Sequence, residues 1–459
     1  GTNLTVNGTA SFVTTGTGTS GNITLLNLTN KFGRFDARGT NISVSDPPAG
    51  IVLGNVVASG DFFANGVTGP ITQAAGTSVQ VAGTANFITA GTGNDGNITL
   101  DSTTNNFSAA GNISASGGAV TIVNSNATML GTITATGLSV NSTGGPITQA
   151  TGTSLTIAGT ANIVSTGSGN EGNITLNNAT NDFNILTASG TNLTLADQNN
   201  VTLNNTSITR TVNITAANIV TVTGSYTAAN TIVSNGTLVA NGLMTTNLTI
   251  AVGAANIQTG GNVTGATVVN SGSLTSNGAF GSLTMNNGTT LYTSSTGTVV
   301  NGNLTFANGS IWNATGSSLS NFSKISTTGL VTIQPTANLT LTSPSGMVYG
   351  NGITLIDQSG STLINQSTGF ANLPQRTIFT NNNNVLVMNY NGAAGNYSYS
   401  SNGVDLIISV APGKIQVLST NITGTAGQQF SSNLNIRVIS DFNNPVGIPG
   451  IPVMITLPG

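Results

Sequence analysis

Aliphatic and polar residues alternate along almost the whole chain, in short pieces. Val79-Gln80-Val81, Ile98-Thr99-Leu100, Val120-Thr121-Ile122, Leu138-Ser139-Val140, Leu155-Thr156-Ile157, Ile174-Thr175-Leu176 and Leu193-Thr194-Leu195 each set two aliphatics around one polar residue. Period two is the side-chain period of an extended strand. Gly, Asn and Ser punctuate the pieces, and no stretch sustains a helical period. The pattern therefore predicts strands of about four to six residues joined by turns throughout. The triplets stand between about 17 and 22 residues apart, about 19 on average, which is the spacing of a solenoid rung.

A longer period is laid over the short one. Gly69-Pro70-Ile71-Thr72-Gln73-Ala74 returns as Gly145-Pro146-Ile147-Thr148-Gln149-Ala150, an offset of about 76 residues. Val6 to Phe12, Val81 to Phe87 and Ile157 to Ile163 are three versions of one segment, and Gly-Asn-Ile-Thr-Leu stands at Gly21, Gly96 and Gly172. Each of these last is followed by an Asn-x-Phe turn, at Asn30, Asn105 and Asn181. Four rungs of about 19 residues would make one such unit.

A single rung could not fold alone. Ordering its backbone costs about 1–2 kcal/mol per residue, whereas each of a handful of buried aliphatics returns about 1.5–3 kcal/mol. Stacked neighbours supply the missing hydrogen bonds and cover, and like residues then lie over like, so corner Asn side chains can form amide ladders. The expected fold is all-β: a right-handed parallel β-helix, with inward aliphatics, outward Thr and Ser, and Gly or Asn at the corners.

The texture changes along the chain. Residues 1–200 carry the regular repeat. In 201–370 the long unit dissolves but the Gly/Asn punctuation continues, giving less regular β-helix and about twenty rungs in all, a rod on the order of 90 Å. Residues 371–411 hold Tyr390, Tyr397 and Tyr399 beside the Asn381 to Asn384 run, then the apolar strand Val404 to Val410, and suit a cap over the last rung. Residues 412–459, with Pro445, Pro449, Pro452 and Pro458 between alternating strands, suit part of a β-sandwich.

Composition removes most chemistries from consideration. Of 459 residues only 8 are Lys or Arg and 11 are Asp or Glu, with no His and no Cys. That excludes His-based nucleophile systems, the usual zinc sites and disulfides. A net charge of −3 offers no basic stripe, so no nucleic-acid partner is expected. Apolar runs fall far short of the roughly 18 residues a transmembrane helix needs. Low charge also suits a parallel stack, where like charges would recur about 4.8 Å apart.

Polysaccharide cleavage on a β-helix would need clustered carboxylates. Asp95 and Glu171 instead occupy equivalent turns of successive repeats, as Asp46 and Asp197 do two repeats apart, which speaks for a structural or solubilising role. The one dense patch, Lys31, Arg34, Asp36, Arg38 and Asp46, reads as a solvated face. No catalytic, cofactor or metal residue is assigned. Asn-x-Ser/Thr triplets are abundant, and Asn22, Asn97, Asn173, Asn192, Asn247, Asn303 and Asn338 are candidates for glycosylation, although a β-helix corner selects Asn on its own account. Thr-x-Thr pairs are ordinary outward strand residues rather than an ice-binding array. Trp312 and the aromatics near Tyr397 read as packing or capping residues ahead of sugar platforms.

The Gly-Pro-Ile-Thr-Gln, Val-Ala-Gly-Thr-Ala-Asn-Phe, Gly-Asn-Ile-Thr-Leu and Asn-Asp-Phe segments resemble the repeats of filamentous-haemagglutinin-like large exoproteins, over residues 1–200. Residues 260–410 look like the later passenger region of autotransporters. Ala426 to Phe430, Leu434 to Ile439, Asp441 to Val446 and Gly450 to Val453 resemble a bacterial Ig-like repeat of the invasin/intimin type. On that pattern the chain opens just after a missing Gly-Pro-Ile-Thr-Gln and closes partway through the Ig-like module.

The resemblance implies a bacterial cell-surface or extracellular protein exported by two-partner secretion or as an autotransporter. The expected function is a structural, non-enzymatic segment of a surface fibre or adhesin. It would act as a rigid rod for adhesion, cell–cell contact or matrix formation, partnered by other copies of itself, neighbouring fibre segments, surface glycans or another cell. A glycan-binding flank is the alternative, and a polysaccharide-degrading β-helix a remote one.

Overall fold

The computed structural model describes residues 3–47, 49–107, 111–215, 218–347, 352–359, 364, 369–375, 377–392, 405–410, 414–417 and 436–439. The protein is all-β, 59% strand and 3% helix, and divides into two compact units, Gly1–Gly253 and Ala254–Gly459.

In the first unit the strands pair in parallel and stack like on like. Ile98, Val120, Leu138, Ala161, Leu186, Leu203 and Val222 form one ladder, each directly over the last. Ile147, Ile174, Leu193 and Val212 form a second, and Ile23, Ile42, Phe62, Ala85 and Ile113 a third. Every one of these side chains is buried. The alternation of the sequence thus becomes an inner column of aliphatics and an outer face of Thr, Ser and Asn, repeated on each of three faces per turn. Longer strands wrap a corner: Leu155–Ser165 and Asp182–Gly190 run side by side with a register shift between Ile157 and Thr160, where the chain bends from one face to the next.

The register corrects the rung count. The triplets at Ile98, Val120 and Leu138 do stack directly, but Leu138 lies beneath Ala161, whereas Leu155 stacks on Ile133 and Ile174 on Ile147. A triplet marks one strand, and one turn carries three strands plus corners of variable length. The two units together hold about 14 turns instead of about twenty. Four turns from Ile98 already reach Leu186, beyond the equivalent residue Ile174, so successive copies of the long repeat fall on different faces.

The second unit uses the same device. Ala255, Leu274, Leu291, Trp312 and Leu339 form one ladder and Leu283, Leu304 and Val331 another. Parallel stacking gives way at Gly352–Gln358, which pairs in parallel with Ile325–Thr327 and antiparallel with Asp405–Val410. The hairpin Ile378–Asn381 and Asn384–Gly392 adds to that strand. Its turn, Asn382-Asn383, has φ of 46° and 63°, the left-handed pair of a type I′ hairpin that Asn tolerates best. Of the tail expected to be Ig-like, Lys414–Val417 and Ile436–Ile439 form an antiparallel pair; the remaining residues of that expectation lie outside the described residues, as do Tyr397 and Tyr399.

Candidate functional site

The most elaborate polar construction of the first unit is the Asn-x-Phe turn. After each Ile-Thr-Leu strand the chain leaves the ladder, and a buried Asn brings it back. Asn30 Oδ1 accepts the Leu4 N–H at 3.1 Å while its Nδ2 donates to the Leu25 carbonyl at 3.0 Å. In the next two repeats the device is completed by the Gln of Gly-Pro-Ile-Thr-Gln. Asn105 Oδ1 accepts from Val79 N–H and from Gln73 Nε2, both at 2.8 Å, and its Nδ2 donates to Gln73 Oε1 at 2.9 Å. Asn181 does the same with Leu155 N–H at 3.0 Å and Gln149 at 2.6 and 2.9 Å. Both motifs are plain in the sequence, but their pairing is not; the signal was the constant separation of 32 residues from Gln to Asn.

Two residues later the Phe N–H points away from any main-chain partner and is met by a side chain. Phe32 donates to Asp46 Oδ2 at 2.8 Å, Phe107 to Asn124 Oδ1 at 3.0 Å and Phe183 to Asp197 Oδ2 at 2.8 Å. Asp46 and Asp197 are buried, so their shared role is structural and not solubilising. Burial pushes the Asp46 carboxyl up to about 6 against the opposing Phe32 N–H and Lys31 charge. Asp197 is raised by the same cause, against two N–H donors, Phe183 and Asn199.

The other charges do not converge. Asp95 and Glu171 sit exposed in the equivalent short 3₁₀ turns Gly93–Gly96 and Gly169–Gly172. Arg34 clasps Asp36 through two bonds of 2.7 Å, and that bond holds the Asp36 carboxyl below its ordinary range. The dense charged patch therefore resolves into a surface pair with Lys31 and Arg38 on one strand, and a buried Asp46 with a separate task. Among the described residues no three His, Cys, Asp or Glu come together as metal ligands.

The candidate glycosylation residues lie along the corners and are not gathered into one place. Asn22 Oδ1 accepts the Asn41 N–H at 3.2 Å, Asn41 Oδ1 the Asp61 N–H at 2.8 Å, and Asp61 Oδ1 the Thr84 N–H at 2.8 Å. Asn97 serves Ala119 N–H at 2.9 Å, and Asn303 serves Leu330 N–H at 3.0 Å. Asn192 accepts from Thr211 N–H at 3.1 Å and donates to Asn173 Oδ1 at 2.8 Å. Asn247 donates to Asn230 at 3.3 Å and Asn338 to the Thr336 carbonyl at 3.2 Å. Corner geometry by itself thus accounts for Asn at these places. Asn247 and Asn303 are exposed and the other five are half-buried.

Trp312 is fully buried, stacked on Phe306 at 5.8 Å, with its Nε1–H on Thr293 Oγ1 at 3.0 Å, so it is a core residue. Two open clefts have hydroxyl-rich walls without charge. One of about 400 Å³ lies between Ser317, Ser318, Ser320 and Ser345, and one of about 380 Å³ between Thr89, Thr92, Ser116 and Thr136.

Residues 39–114 and 117–189 match the family described as Repeats of unknown function (DUF5649). Each match encloses one complete Gln–Asn pair and its Phe turn, Gln73 with Asn105 and Gln149 with Asn181. The repeat that this family describes is therefore, in this chain, a three-faced solenoid segment locked by an amide pair. Neither the curated proteins nor the solved structures contain a match to the chain. No helix among the described residues is long and apolar enough to cross a membrane.

Proposed function

We propose that this chain is a structural, non-enzymatic segment of a bacterial extracellular fibre or cell-surface adhesin, exported to the surface and working by stiffness and presentation. The observation that carries this reading is the use to which the polar side chains are put. Buried Asn and Asp and half-buried Gln close the turns and corner Asn residues bond the next turn's backbone, while the described carboxylates are scattered or buried. Acid–base catalysis needs convergent groups, and a solenoid that spends its polar groups on holding adjacent turns together supports a mechanical role. The resemblance of residues 1–200 to haemagglutinin-like exoproteins supports the surface location, and other copies or neighbouring fibre segments are the partners proposed.

A glycan-binding flank is the second reading, favoured by the two uncharged, hydroxyl-lined clefts. Deleting the coding region and measuring attachment to surfaces and to other cells tests the first reading: attachment should fall. Unchanged attachment would sink it. Saturable binding on a glycan array would favour the second, and turnover of any polysaccharide would overturn the non-enzymatic claim.

A further inference from the structure

The Phe N–H of the Asn-x-Phe turn is met by a side chain three times, by Asp46 and Asp197 from 14 residues on and by Asn124 from 17 residues on. In the middle repeat Asn124 answers the Phe107 N–H with its Oδ1, and its Nδ2 donates to the Phe107 carbonyl at 3.2 Å, the Ala127 carbonyl at 2.9 Å and Thr128 Oγ1 at 3.1 Å. The second arm of this side chain therefore faces acceptors. In the third repeat Asp197 turns its second oxygen to a donor of its own, the Asn199 N–H at 2.8 Å. In the first repeat Asp46 has neither arrangement. Its Oδ2 takes the Phe32 N–H, and its Oδ1 is buried without a hydrogen-bond partner among the described residues. A buried carboxylate oxygen with no donor of its own is costly, whereas a carboxylic acid carries no charge and its O–H can donate as an amide N–H does.

We propose that Asp46 is a proton switch in the first repeat: as the neutral acid it keeps Oδ2 on the Phe32 N–H while its other oxygen lies buried without charge, and on ionisation that oxygen is left charged without a donor and the turn loosens. The proton comes from water and returns to it. Of the elements around Asp46, the strands Ile23–Leu25, Ile42–Ser45, Ile51–Ala58 and Phe62–Val67 bring no ionisable side chain, nor does Thr5–Val13. Lys31–Gly39 brings Lys31, whose charge opposes the shift, together with Arg34 and Asp36 paired to each other, and Arg38. With so little nearby charge, burial dominates.

The direction of linkage follows. With the folded-state value raised to about 6 above an unfolded value near 3.9, the folded repeat holds the extra proton between those two. The stabilisation is full below the unfolded value and is lost as pH rises through about 6. The turn is thus tight in mildly acidic surroundings and relaxed in neutral ones. The Asn124 repeat is indifferent to pH, which makes it an internal control.

The test is hydrogen exchange with mass spectrometry on the full chain from about pH 5 to about pH 8, corrected for intrinsic exchange. Peptides around Phe32 should lose protection several-fold as pH rises through about 6, while peptides around Phe107 should not. Asp46→Asn should remove the step and leave Phe32 protected at every pH. A second readout needs only the wild-type protein beside that variant: a carboxylic-acid carbonyl band in the infrared difference spectrum, wild type minus Asp46→Asn, at about pH 5. A flat Phe32 profile, a step that persists in the variant, or the absence of that band would overturn the proposal.

Discussion

Single amide side chains decide how each Asn-x-Phe turn of the first unit closes. The Gln149–Asn181 pair sets a half-buried amide against a buried one through two reciprocal bonds, and truncating either leaves the other short of partners. Asn181→Ala is therefore expected to cost about 2–5 kcal/mol, since it orphans the Leu155 N–H and takes two bonds from Gln149. Gln149→Ala should cost about 1–3 kcal/mol, and the double variant less than the sum, as read from urea unfolding. At this scale much was written in the chain. The Asn-x-Phe and Pro-Ile-Thr-Gln motifs recur, and Asp46 and Asp197 align two repeats apart. What could not be read was burial: Asp46 lies in a charged segment and looks like its exposed neighbours until Phe32 is seen to need its oxygen.

At the scale of the element, alternation predicted the strands and their inward residues almost one for one, because a period of two leaves no other face to bury. The faces themselves were not legible. Residues about 19 apart look stacked, yet Leu155 lies over Ile133 and not under Leu138's column, since corner length, not strand spacing, sets the register. Close approach at a corner is a firmer guide. Gly50 has φ of +82° and a Cβ there would stand 2.1 Å from the Pro70 carbonyl oxygen. Gly50→Ala should lower the midpoint of thermal unfolding, while Gly76→Ala, with a similar φ of +72° but open space, should lower it less. In the second unit Trp312 lies between Leu291 and Leu339 in its ladder, with Phe306 and Phe370 against its ring. Its emission should be blue-shifted and resistant to acrylamide, and Phe306→Ala should red-shift it and cost about 3–5 kcal/mol. An exposed, readily quenched Trp would refute that packing.

For the whole molecule, the scarcity of charge and the solenoid are one fact seen twice. Stacked turns repeat each position above and below itself, so an outward charge would meet its own kind, whereas Thr, Ser and Asn can hydrogen-bond along the column. One ion pair, Arg34–Asp36, occurs among the described residues. Stability should accordingly change by less than about 1 kcal/mol between low salt and about 1 M NaCl, and a large loss would show that charge holds the fold. The sequence carried the fold class, through repeats that only a stack can satisfy, but function is less legible in it, because a surface without convergent groups names no ligand. The surface-fibre role is most directly tested by electron microscopy of the native cell surface with an antibody to this chain. Label on surface filaments with an axial repeat of about 4.8 Å is the expected result. Label confined to the cell interior, or to dispersed single molecules, would contradict it.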